Sequence, residues 1–240
     1  MQNLNLNAID ASWLPLVKTA LAEVDSVYLN QLESCSDWLP GADNIFNSFS
    51  IPLGEIRFVL FGESPYPRSQ SANGYAFWDN AVEELWAEKG LSKAVNRATS
   101  LRNFMKMLLI ADGRLKPEDT SQDAIANIDK THYVQTIGEL FSNMLKSGFL
   151  LLNASLVLSG DSVRKDAAAW RPFMATLLQL LEQHRPNTQL LLFGKIAEEI
   201  NRMHASGYTR LTAEHPYNIS FMHNPEIITF FKPLGLLEKE

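Results

Sequence analysis

Side chains able to make or break bonds sit at three points in this chain, each soon after a short apolar run. Residues 56–61 form the first run. It breaks at Gly62 and delivers Glu63, Ser64 and Tyr66 in a loop stiffened by Pro65 and Pro67 and closed by Gly74 and Phe77. Residues 149–152 lead to Asn153, and residues 208–211 lead into His215 and Pro216. A carboxylate can take a proton from water. A planar amide presents a donor and an acceptor side by side, matching the edge of a heterocycle. A neutral imidazole donates from one ring nitrogen while a partner orients the other, and an orienting acceptor is expected for His215.

The elements that must hold these groups read as α/β. The runs at 56–61, 149–152 and 189–193 have the length and content of buried strands, and 208–211 is a last candidate strand. In an open parallel sheet, ligands bind beyond the carboxyl ends of the strands, next to helix N-termini, and the loop at 62–77 leaves such an end. Leu14, Val17, Leu21, Val24 and Tyr28 recur at spacings of three and four and predict one amphipathic helix, with Pro15 in its first turn. An acidic helical segment is expected at 80–88, and another helix at 91–109, where Leu101, Phe104, Met105 and Leu108 form the apolar stripe. Further helices are expected at 134–146, at 172–183 and from Ile196 onward. Residues 112–136 are polar and read as a surface insertion, in which His132 and Tyr133 are structural. Gly194-Lys195 after a strand is not a phosphate-binding loop, because the upstream glycine and the Ser/Thr are missing.

At 240 residues and 46% hydrophobic content, one domain over 1–240 is expected. The net charge of -6 leaves no overall basic surface, so any nucleic-acid contact must come from local patches. A single cysteine, Cys35, excludes an intramolecular disulfide and cysteine-ligated metal or iron–sulfur centres. With no leader-like N-terminus and no apolar stretch of spanning length, a cytoplasmic protein without membrane contact is expected, and a monomer.

The motifs carry a family resemblance. Gly62-Glu63-Ser64-Pro65-Tyr66-Pro67 followed by Gly74-Tyr75-Ala76-Phe77 resembles the G-Q-D-P-Y-H…G-x-A-F motif of family-1 uracil-DNA glycosylases, with Ser64 where that family carries its water-positioning Asp. Residues 150–156, LLNASL with its leading leucine, resemble the segment whose Asn reads uracil, and His215-Pro216-Tyr217-Asn218-Ile219-Ser220 resembles the H-P-S-P-L-S loop. Ser100-Leu101-x-Asn103 is similar to the serine-leucine element that grips a phosphate, without the prolines that usually precede it. The likeness runs from Trp38 to the C-terminal region, with 112–136 as its main gap.

This resemblance implies a mostly parallel four-stranded sheet flanked by helices on both faces. It implies hydrolysis of the N-glycosidic bond of a flipped uracil, or another damaged base, in single- or double-stranded DNA, with no cofactor. Phe77 would stack on the base, Asn153 would read its edge, and Tyr66 would fill the space beside C5. His215 would stabilise the departing anion. Ser64 cannot carry the family Asp's charge, and Glu63 is the nearest carboxylate that could stand in. Pro216, Ile219 and Ser220 would contact DNA, with Ile219, and Phe221 beside it, as the wedge. Ser100 reads equally as a phosphate contact or a helix N-cap. Arg164 and Lys165, placed in a loop, could meet phosphates or be solvated charges. Asn153 could instead bond backbone at a strand end. The alternative function is a non-catalytic homologue that binds DNA or a protein.

Overall fold

The computed structural model describes residues 4–35, 37–160, 162–204 and 207–239. The chain divides into two compact units, each built from two segments: 1–79 with 148–211, and 80–147 with 212–240.

The first unit is organised by a sheet of strand order β4-β1-β5-β6, made of β1 (Phe58–Gly62), β4 (Phe149–Asn153), β5 (Gln189–Phe193) and β6 (Thr209–Ala213), whose last two residues lie past the unit's limit. Two further strands, β2 (Trp86–Ala87) and β3 (Gly90–Leu91), belong to the other unit. β1 pairs in parallel with β4 on one side and β5 on the other, so Val59 lies level with Leu150 and Leu190, and Phe61 with Leu152 and Leu192. These side chains share one apolar cluster with α1 (Leu14–Leu21), α2 (Ser26–Ser34), α7 (Val163–His184) and α8 (Ile196–Met203). Phe58, Leu60, Leu151 and Leu191, which alternate with them, are buried as well, as the leucine-rich runs require of strands covered on both faces. The result is the expected α/β arrangement of a parallel four-stranded sheet flanked by helices.

Two helix expectations change here. The helix read through Leu14 and Tyr28 is two helices, because the Asp25 carboxylate accepts from the Val27 N–H at 2.7 Å and starts α2 afresh. A side-chain cap of that kind competes with the continuing helix. The helix expected from Pro172 begins nine residues earlier at Val163, capped by Ser162, and carries Pro172 inside it. Arg164 and Lys165 therefore stand in its exposed first turn and not in a loop. The turn is anchored by Asp166, which is 0% exposed. Its carboxylate accepts from the Tyr28 hydroxyl at 2.8 Å and from the Ser159 N–H at 2.7 Å, and also from the Ser159 hydroxyl. Burial, followed by this hydrogen bond, pushes the Tyr28 phenol up from its ordinary value, so it stays a donor.

In the second unit the expected helix at 80–88 is instead the β2–β3 hairpin. Gly90 takes a φ of +111° that closes its turn, and the Trp86 indole donates to the Val134 carbonyl at 2.7 Å while stacking on Tyr133. The region read as one helix at 91–109 is α3 (Lys93–Arg97) and α4 (Thr99–Ala111), broken at Ala98. After the short α5 (Gln122–Ala126), α6 (Ile137–Lys146) opens with a capping box between Thr136 and Glu139. The last helix is α9 (Pro225–Phe231), started by Asn224. The polar stretch 112–136 is fastened by buried Leu115, Ile125 and Tyr133, and Tyr133 donates to Asp112.

Replacing Asp166 with Ala leaves buried donors without an acceptor, at about 1–3 kcal/mol each. The variant is expected to lose about 3 kcal/mol of stability, and urea unfolding is the measurement. A loss under about 1 kcal/mol would show the network to be dispensable.

Candidate active site

The first unit brings together the groups predicted at the ends of β1 and β4. Gly62 and Asn153 are partners in the ladder, and the register continues beyond the strands: the Ala154 N–H donates to Gly62 O at 2.9 Å and the Ser155 N–H to Glu63 O at 3.0 Å. The Asn153 side chain closes against Gly62 through its Oδ1. A Cβ at residue 62 would overlap Asn153 Oδ1 and stand 3.0 Å from Ala76 Cβ, so a larger residue there would have to displace the Asn153 amide. Asn153 is 3% exposed.

Ala76 is tied into the same place by its N–H, which donates to Leu151 O at 3.1 Å. Phe77, the next residue, has a φ of +65°, a region that costs a bulky residue about 1–3 kcal/mol and persists only when its surroundings over-determine it. They do. The Tyr66 hydroxyl donates to Phe77 O at 3.2 Å, and the Phe77 ring meets Phe193 edge-on at 6.5 Å. Upstream, Asn47 Nδ2 donates to Asn73 O and the Ser48 hydroxyl to Gly74 O, each at 2.8 Å, while Tyr75 stacks on Trp78. Behind Tyr66, Arg68 pairs with buried Asp79 at 3.2 Å. Burial, and then the negative charge of Asp79, raises the Tyr66 phenol from its ordinary value of 10.0, which keeps it a donor. Ser64 is half-buried and Glu63 is exposed.

The remaining predicted residues of the second unit lie on one loop and one helix. His215 is half-buried, and its Nδ1 accepts from the Tyr217 N–H at 3.1 Å. The orienting partner is thus a donor, contrary to expectation, and it places the ring's proton on Nε2. Pro216 is buried. Ser220 is exposed, and its hydroxyl bonds to the Glu214 carboxylate, which also accepts from Asn224 Nδ2 at 3.3 Å. Ile219 and Tyr217 are 65% and 66% exposed. Phe221 is not available as a wedge: the 3-10 turn Ile219–His223 directs it inward, and it is fully buried. Ser100 is half-buried in the first turn of α4, but it is not the cap, which is Ala98 without a side-chain bond.

Sequence reasoning passed over the residues that hold these groups in place. Asn103, 1% exposed, donates to the carbonyls of Pro216 at 2.8 Å and Tyr217 at 3.2 Å. An amide standing inside the apolar stripe of Leu101, Phe104 and Met105 was the available signal. Asn47, Ser48 and Glu214 carry no such mark.

No family model matches the chain. The uracil-DNA glycosylases of Amoebophilus asiaticus and Azotobacter vinelandii are each 26% identical to it, over 80% and 88% of this chain and 76% and 82% of their own. Among solved structures, the wild-type UNG of Nitratifractor salsuginis is 42% identical, covers 100% of this chain and 96% of that one, and superimposes with a TM-score of 0.94. The chain belongs to the uracil-DNA glycosylase superfamily. It is a DNA glycosylase by descent.

Two measurements check the geometry of this glycosylase. Gly62→Ala is expected to cost about 1–3 kcal/mol through overpacking and to shift the side-chain amide resonances of Asn153. Unmoved resonances would contradict the close approach. Glu214 is held below its ordinary value of 4.5, first by Ser220, so its bonds support the loop above that pH and are lost as pH falls through the lowered value. Ser220→Ala is expected to raise the Glu214 titration midpoint toward 4.5, followed by carboxyl carbon shifts.

Proposed function

We propose that this protein hydrolyses the N-glycosidic bond of uracil, or of another deaminated or damaged base, flipped out of single- or double-stranded DNA. It is closest in plan to the family-1 enzymes, with Ser64 in place of their Asp. The observation that carries the proposal is the pairing at Gly62: the Asn153 amide and Ala76 both abut it, and Phe77 is forced into a left-handed conformation directly beyond. Strain at that ring is understandable if the ring has to receive something.

Extruding a base costs a few kcal/mol. Stacking on Phe77 returns about 1–3 kcal/mol. The Asn153 amide pairs with the N3–H and O4 of uracil and mismatches the exocyclic amine of cytosine. Tyr66 fills the space beside C5 and rejects the thymine methyl. Ile219, with its side chain in solvent, enters the gap left in the stack, and Pro216, Ser220, Ser100, Arg164 and Lys165 meet the backbone around it.

As the bond breaks, negative charge gathers on O2 of the leaving uracil and positive charge on the sugar. The Nε2–H of His215 donates to that oxygen, an interaction worth about 10²–10³ in rate in a water-poor site. Water activation is the weak point. A serine lacks the charge that both takes the proton and faces the cation, and loss of such a base costs about 10²–10⁴. Glu63, one residue earlier and exposed, is the proposed stand-in. The same substitution favours the second reading, a homologue that binds DNA or a protein without cleavage.

The test uses uracil-bearing single- and double-stranded oligonucleotides with alkaline scission of abasic sites. Slow excision is expected from the wild type. Ser64→Asp should raise it about tenfold or more, and Glu63→Gln or His215→Ala should lower it by about 10². DNA retained without scission by both the wild type and Ser64→Asp would establish the binding homologue.

A further inference from the structure

Asn103 is among the buried polar side chains that the mechanism leaves unused. Asn103 sits in α4 and is 1% exposed, where an amide is costly unless its hydrogen bonds are made. Its Nδ2 donates at 2.8 Å to Pro216 O, the carbonyl half of the peptide unit joining Pro216 to Tyr217. The N–H half of the same unit donates at 3.1 Å to His215 Nδ1. A second bond, from Asn103 Nδ2 to Tyr217 O at 3.2 Å, grips the next unit.

A peptide unit is planar, so holding its oxygen fixes the direction of its N–H. Donation to the oxygen also polarises the unit and strengthens its N–H as a donor, since chains of hydrogen bonds reinforce one another. We infer that Asn103 is a positioning residue for His215: through the Pro216–Tyr217 peptide it keeps Nδ1 an acceptor and so keeps the ring proton on Nε2. Its catalytic consequence rests on the glycosylase reading above; its effect on the ring does not. Without the Asn103 amide the peptide is free to tilt, and the imidazole can exchange to the Nδ1–H tautomer, which presents a lone pair where an anion needs a donor.

The experiment is nitrogen-detected NMR of the His215 ring in the full chain, paired with excision kinetics. The wild type is expected to show unprotonated Nδ1 and protonated Nε2. Asn103→Ala should move both signals toward the tautomer average and lower kcat about tenfold, with KM within about twofold. Asn103→Leu keeps the side chain's shape, lacks the donor, and should reproduce the ring shifts. A wild type protonated at Nδ1 overturns the inference, as does an unchanged His215 ring in both variants, whatever happens to stability or rate. Should Asn103→Ala fail to fold, the wild-type spectrum and Asn103→Leu decide. If the wild type excises nothing while the ring responds as expected, the positioning role stands and the glycosylase reading falls.

Discussion

A side-chain amide lying against bare backbone at Gly62 is the contact on which the placement of Asn153 in the first unit depends. It exists because β1 and β4 are parallel and in one register, Phe58 level with Phe149 and Gly62 level with Asn153. A slip of a single residue would send every side chain of the strand to the opposite face. The register is held in turn by Val59, Phe61, Leu150 and Leu152, which share one cluster with the helices. The placement of one polar group thus rests on the apolar packing of the strands that carry it.

The loop that follows illustrates how strain is kept. Phe77 holds an unfavourable backbone angle because Tyr66, Phe193 and the Asn47–Ser48 bonds surround it with fixed partners. The side-chain donors around the loop go to main-chain carbonyls, which pin the path of the chain. In the second unit the same logic recurs with Asn103 and Glu214 as the fixed points around His215.

Three of the strands were legible in the sequence because each is a leucine- or aromatic-rich run, ended at Gly62, Asn153 or Gly194, and the candidate site groups were legible because they follow strand-like runs. What misled was local competition. Asp25 captures the N–H of Val27 and ends a stripe that periodicity alone would continue. Residues 80–88 have helical composition, but Trp86 finds its partners in Val134 and Tyr133, far along the chain. Pro172 marks a helix start by its chemistry, yet the Asp166 network secures the turns before it. Long-range partners of this kind leave no periodic trace. The proton position on His215 was likewise out of reach, since it is decided by a main-chain N–H two residues on.

The loop from His215 to Ser220 is fastened at Pro216 and Tyr217 to α4 and at Ser220 to Glu214, while Tyr217 and Ile219 stand out into solvent from its tip. A spur so mounted has already surrendered its backbone freedom during folding. When it meets a partner, the rotamers of a few exposed side chains, Tyr217, Asn218 and Ile219, remain to be frozen, at about 0.5–1.5 kcal/mol each. Association through this tip therefore carries a small entropic penalty, and its affinity should respond more to which side chains the spur bears than to how flexible it is.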